Sequence, residues 1–75
     1  MRVFIVEAYG GPQSTDGAIA HLTVQAATAE DAIDIVRRSR AGIRYGRFEV
    51  VEETKELEAK EPGIIAENDG PYRQP

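Results

Sequence analysis

Seventy-five residues with no cysteine, one histidine and a formal net charge of −4 allow a single small domain. They exclude a disulfide framework, a thiolate metal site and an imidazole metal site. A core of this size rarely supplies more than about 3–5 kcal/mol net, so self-association or docking on a partner is the staple that remains.

The opening segment "MRVFIVEAYG" carries one basic side chain and a run of only four apolar residues, Val3 to Val6, before Glu7. That is too short for a signal peptide, and nothing in the chain approaches a membrane span. The expectation is a cytoplasmic protein with no membrane contact, the lack of cysteine fitting a reducing compartment.

Residues 2–9, "RVFIVEAY", are apolar on both parities and rich in β-branched and aromatic side chains, which predicts a central strand. "GGPQSTDG" at 10–17 is dense in turn formers and reads as a hairpin tip. Residues 18–26 alternate: Ala20, Leu22, Val24 and Ala26 face one way, and Ile19, His21, Thr23 and Gln25 the other. The period then changes to 3.6. Thr28 suits an N-cap, Glu30 and Asp31 suit the first turn, and Ala29, Ala32, Ile33 and Val36 make one stripe. A helix over about 29–41 follows, with Gly42 as its stop. "RYGRFEVVE" reads as a third strand. Residues 53–61 have good helix formers but few apolar anchors besides Leu57, which predicts a weak helix, and 62–75 read as a mobile tail.

The expected fold is therefore α+β: a ββαβ domain over residues 1–52, a split βαβ or ferredoxin-like half. Its three-stranded antiparallel sheet has order 2-1-3, with one main helix on one face, then the weak C-terminal helix and tail. The face away from the helix should present Val3, Ile5, Tyr9, Ile19, His21, Thr23, Tyr45, Arg47, Glu49 and Val51. That set is too apolar for ordinary solvent-facing sheet and marks a candidate contact face. The edges of strands 2 and 3 are open to pairing. The expected function is a non-enzymatic protein-interaction module that presents this face or an edge, possibly as a homodimer.

Residues 37–50, "RRSRAGIRYGRFEV", hold five arginines. Arg37, Arg38 and Arg40 fall in the last turn of the helix, where cations complement the backbone dipole. Arg44 and Arg47 are the candidates for an anion or nucleic-acid contact beside Tyr9 and Tyr45. "RYGRFEV" resembles the aromatic strand of an RNA-recognition motif, with two departures: Arg44 stands where a glycine is expected, and Arg47 where an aromatic is expected. Residues 49–69 carry eight acids against two lysines and would repel phosphate. A nucleic-acid adaptor is thus the alternative function.

No enzyme, cofactor or metal site is expected. "GGPQSTDG" lacks the spacing and the lysine of a phosphate loop. Ser14, Asp16 and His21 have the residue types of a hydrolase triad, but they lie on one flexible hairpin with no pocket to hold them. The late carboxylates do not follow a calcium-loop spacing.

Overall fold

The structure, a computed structural model, describes residues 1–13, 15–54 and 61–73. Its elements run β1 (Arg2–Tyr9), β2 (Ala20–Ala26), α1 (Ala29–Arg38), α2 (Ala41–Arg44), β3 (Arg47–Thr54) and β4 (Gly63–Asp69). β1 is flanked by β2 and β3, both antiparallel, with Val6 opposite Leu22 on one side and Val50 on the other. Its apolar run on both parities is what an inner strand needs, since neither edge nor face can reach water freely. β2 shows the strict alternation that its sequence carries, every second side chain being buried.

α1 begins where its cap dictates. The Thr28 Oγ1 accepts a hydrogen bond from the Asp31 amide at 3.1 Å, and Glu30 and Asp31 occupy the first turn. The helix ends at Ser39, earlier than Gly42. The Ser39 amide and hydroxyl both donate to the Val36 carbonyl, at 3.2 and 2.6 Å, and Ser39 Oγ accepts from the Ala41 amide at 3.2 Å. Ser39 thereby satisfies the frayed end and starts the single turn of α2. Gly42 serves close approach here: a Cβ on it would lie 1.9 Å from the Arg37 carbonyl oxygen.

The expected three-stranded sheet of order 2-1-3 with one main helix is incorrect. The sheet has four strands in the order β3-β1-β2-β4 and carries two short helices. β4 pairs antiparallel with the edge of β2 that was expected to be open, and it comes from residues read as tail. Two physical reasons hid it. None of its side chains is buried, so it leaves no hydrophobic alternation. A bulge also sets Ala66 opposite Thr23 but Ile64 opposite Val24, making Ile65 an extra residue and breaking the period. Glu53 and Thr54, expected to open a weak helix, end β3; residues 55–60 of that expected helix lie outside the described residues.

The core sits between the sheet and α1. Phe4, Val6, Ala8, Ala20, Leu22, Val24 and Ala26 from the sheet meet Ala32, Val36 and Ala41 from the helices, with Ile33, Ile35, Tyr45, Phe48 and Val50 at its margin. Alanines fill much of it, and Leu22 is the largest side chain in complete burial. Small side chains let the helix ride close to the sheet but bury little area per residue.

Candidate functional site

The sheet face away from α1 is less open than its sequence suggests. Val3 and Ile5 are only 3% and 5% exposed. Around them the face is polar. Glu7 of β1 stands opposite Glu49 of β3 and His21 of β2. Like charges opposed across strands repel, and Tyr9 relieves this by donating its hydroxyl to Glu7 Oε1 at 3.3 Å. Partial burial, the hydrogen-bonding Glu49 carboxylate and the charge of Glu7 together push the Tyr9 hydroxyl up to about 12. The Arg47 guanidinium lies over the Tyr9 ring, 4.2 Å from its centroid, a geometry that attracts a cation to the π face.

The chain beyond β4 turns onto this face and reaches Glu7 of β1. Gly70 takes φ +82, a left-handed turn that glycine adopts without steric cost. Its amide donates to the Ile19 carbonyl at 2.8 Å, and its carbonyl lies 3.0 Å from His21 Nδ1. That distance calls for a proton on Nδ1. Two residues on, the Tyr72 amide donates to Glu7 Oε2 at 3.1 Å, and its ring meets His21 edge-on with centroids 5.6 Å apart. The Glu52 carboxylate, acting on the Tyr72 hydroxyl as acceptor and as charge, raises its pKa. Glu52 is the β3 neighbour of Ile5, so the strap 70–73 crosses β2 and β1 and reaches β3, its anchors bracketing Ile5.

Arg44 and Tyr45 belong to the other side. Arg44 bonds Glu67 of β4 at 3.0 Å, and the Tyr45 hydroxyl donates to the same Oε2 at 3.3 Å. Glu67 faces Leu22 in register, which puts this trio on the helix-bearing face. Tyr45 packs edge-on to Phe48 at 6.2 Å. Burial first, then the Glu67 charge, raise its hydroxyl pKa, while Arg44 partly offsets them. Placing Tyr45 with Arg47 on the far face is thus corrected: strand parity starts only at Arg47, and Tyr45 still caps α2 through its amide bond to the Ala41 carbonyl. The proposed aromatic and arginine patch is therefore divided, Tyr9 with Arg47 on one face and Tyr45 with Arg44 on the other.

Of the remaining contact candidates, His21 is half-buried under the strap, while Ile19 and Val51 are exposed. Val51 is the extra residue of a bulge, since Val50 faces Val6 and Glu52 faces Ile5. The residues that sequence reasoning missed are Glu67, Tyr72, Ile64 and Ile65 as members of ordered structure. The signal for Tyr72 was an aromatic placed just after "GP" in an otherwise polar tail.

Both outer strands end the sheet, but they differ. β3 carries Arg47, Glu49, Glu52 and Glu53 along with its bulge, features that blunt an edge. Glu53 is further tied to Arg2 at 3.2 Å. β4 instead leaves Ile64 and Ile65 exposed to 37% and 46%. A cavity of about 280 Å³ beside the start of β4 is lined by Ala27, Asp31, Asp34, Ile35, Arg38 and Pro62 together with Met1. Among the described residues no cluster of three or more His, Asp or Glu could hold a metal ion, and no helix is long and apolar enough to cross a membrane.

Set against protein-family models, curated proteins and solved structures, the chain matches none of them.

Proposed function

We propose that the chain is a small non-enzymatic interaction module that works through its outer strand β4, pairing edge to edge with a second copy of itself. The observation that carries this reading is the exposure of two adjacent isoleucines, Ile64 and Ile65, on the outermost strand of the sheet. The first half of β4, "GIIA", holds no charge, and the acids Glu67 and Asp69 fall in the second half. Antiparallel pairing of the two "GIIA" segments about a two-fold axis puts apolar residues opposite each other and keeps the four acids apart. β3 suits this less well, because its charges Arg47, Glu49, Glu52 and Glu53 oppose continuous pairing. A core built largely of alanine and valine supports the same reading, since a dimer adds buried area that the monomer lacks. A cysteine-free chain fits assembly in a reducing cytoplasm.

Sedimentation across a concentration series tests it. The expected result is a dimer at micromolar concentration that reverts to monomer in Ile65→Lys, a charge placed on the pairing edge. A monomer at every concentration, or a dimer indifferent to Ile65→Lys, would contradict the reading. Salt gives an independent sign. Two copies with net charge −4 each repel, so raising the salt should strengthen the dimer, whereas a phosphate contact through Arg44 or Arg47 would weaken.

A further inference from the structure

The seven residues of β4 bury none of their side chains, yet the strand pairs along the length of β2, from Asp69 opposite Ala20 to Gly63 opposite Gln25. Backbone bonds of this kind exchange for bonds to water on opening, so each contributes only modestly. Something outside the strand must favour the docked state. On the helix-bearing face, among the described residues, the exposed Glu67 is held by Arg44 and Tyr45. On the other face the chain continues without a break into the strap, which carries the aromatic anchor.

The geometry points to a latch: β4 and the strap 63–73 form one separable unit, and Tyr72, seated among Glu7, His21 and Glu52, decides whether that unit is docked on β2 or free. Its two attachments come from two different strands, the amide bond to Glu7 of β1 and the ring contact with His21 of β2, and its hydroxyl feels the Glu52 carboxylate of β3. Gly70 is the hinge. Its positive φ reverses the chain directly after β4, and its amide and carbonyl both bond to β2 or the residue before it. Releasing Tyr72 leaves β4, among the described residues, with its backbone pairing to β2, the Gly70 bonds and the Glu67 tie but no buried side chain, so the strand lifts away more readily. The edge of β2 that β4 occupies then opens. Local opening of this kind occurs in units that bury little apolar surface. The latch stands whether or not β4 pairs with another chain, because every contact it uses lies within one molecule.

Residue-resolved hydrogen exchange on the full chain, below the concentration at which it associates, tests the latch. In Tyr72→Ala the amides of β4 should exchange roughly tenfold or more faster than in the parent, with those of Phe4, Val6 and Val36 unchanged. Tyr72→Phe keeps the ring on His21 and the amide on Glu7 and loses only the hydroxyl, so its acceleration should be smaller and confined to the same strand. Uniform acceleration of all amides in Tyr72→Ala would show that the strap belongs to one global folding unit and would overturn the proposal. Unchanged exchange in β4 would overturn it equally, because the strand would then dock without its anchor.

Discussion

Gly42 is fixed by space rather than by dihedral angle. A methyl group there would meet the Arg37 carbonyl carbon at 2.7 Å and its oxygen nearer still, and both belong to backbone that cannot step aside. Gly42→Ala should therefore destabilise the fold by about 1–3 kcal/mol despite the better helix propensity of alanine, read as a fall in the urea midpoint. Tyr9 makes a different residue-scale prediction. Its folded pKa of about 12 exceeds the ordinary value of 10.0, so the fold favours the neutral hydroxyl between Glu7 and Glu49. That stabilisation is complete below pH 10 and is lost as pH rises through about 12. Tyr45 and Tyr72 shift in the same direction. For Tyr72 the main cause is Glu52, so its ionisation sets negative charge against that carboxylate, while Glu7 holds the backbone amide and His21 the ring. Alkaline titration followed by tyrosinate absorbance and melting temperature should show delayed ionisation coinciding with a loss of stability. Ordinary titration of all tyrosines near 10 would contradict this. Thr28, Leu22 and the α1 last-turn arginines Arg37 and Arg38 could be placed from sequence, whereas Arg40, expected in the same turn, is the N-cap of α2. The partners of Tyr45 and Tyr72 could not, since Glu67, Glu7 and His21 reach them only through the order of the strands.

At the scale of elements, α1 and β4 are opposites. α1 announces itself by a cap, an acidic first turn and a basic last turn. Thr28→Ala should cost about 1 kcal/mol by leaving the Asp31 amide without its acceptor, measurable by chemical denaturation. β1 and β2 were equally legible, one from apolar residues on both parities and the other from alternation. β4 was not, because a strand that buries nothing and contains a bulge leaves no period to read. Its presence changes the meaning of the candidate face. The expected free edge of β2 is occupied, and Val3 and Ile5, read as presented to a partner, are covered in the free chain. Exposed apolar surface moves instead to Ile64 and Ile65, and to Ile43 on α2, which is 89% exposed.

The whole molecule rests on few large side chains. Leu22, Val6, Val24 and Val36 are the largest in full burial, and the rest of the central core is Phe4 and alanines. Leu22→Ala should remove about 2–5 kcal/mol, comparable to the entire net stability of a domain this small, and the variant should be largely unfolded as a monomer by circular dichroism. Such a margin gives association a physical motive, and the outer strand supplies the surface. Because the chain contains no cysteine, single cysteines can map that surface without background. The most direct measurement is oxidative cross-linking of three variants in parallel, Ile64→Cys, Ala66→Cys and, on the opposite edge, Val51→Cys. Directly paired strands bring Cβ atoms within about 4.5–5.5 Å, close to disulfide range. Pairing through β4 predicts rapid covalent dimer at Ile64 or Ala66 and none above the collisional rate at Val51. Equal slow cross-linking at all three positions, or preference for Val51, would contradict it.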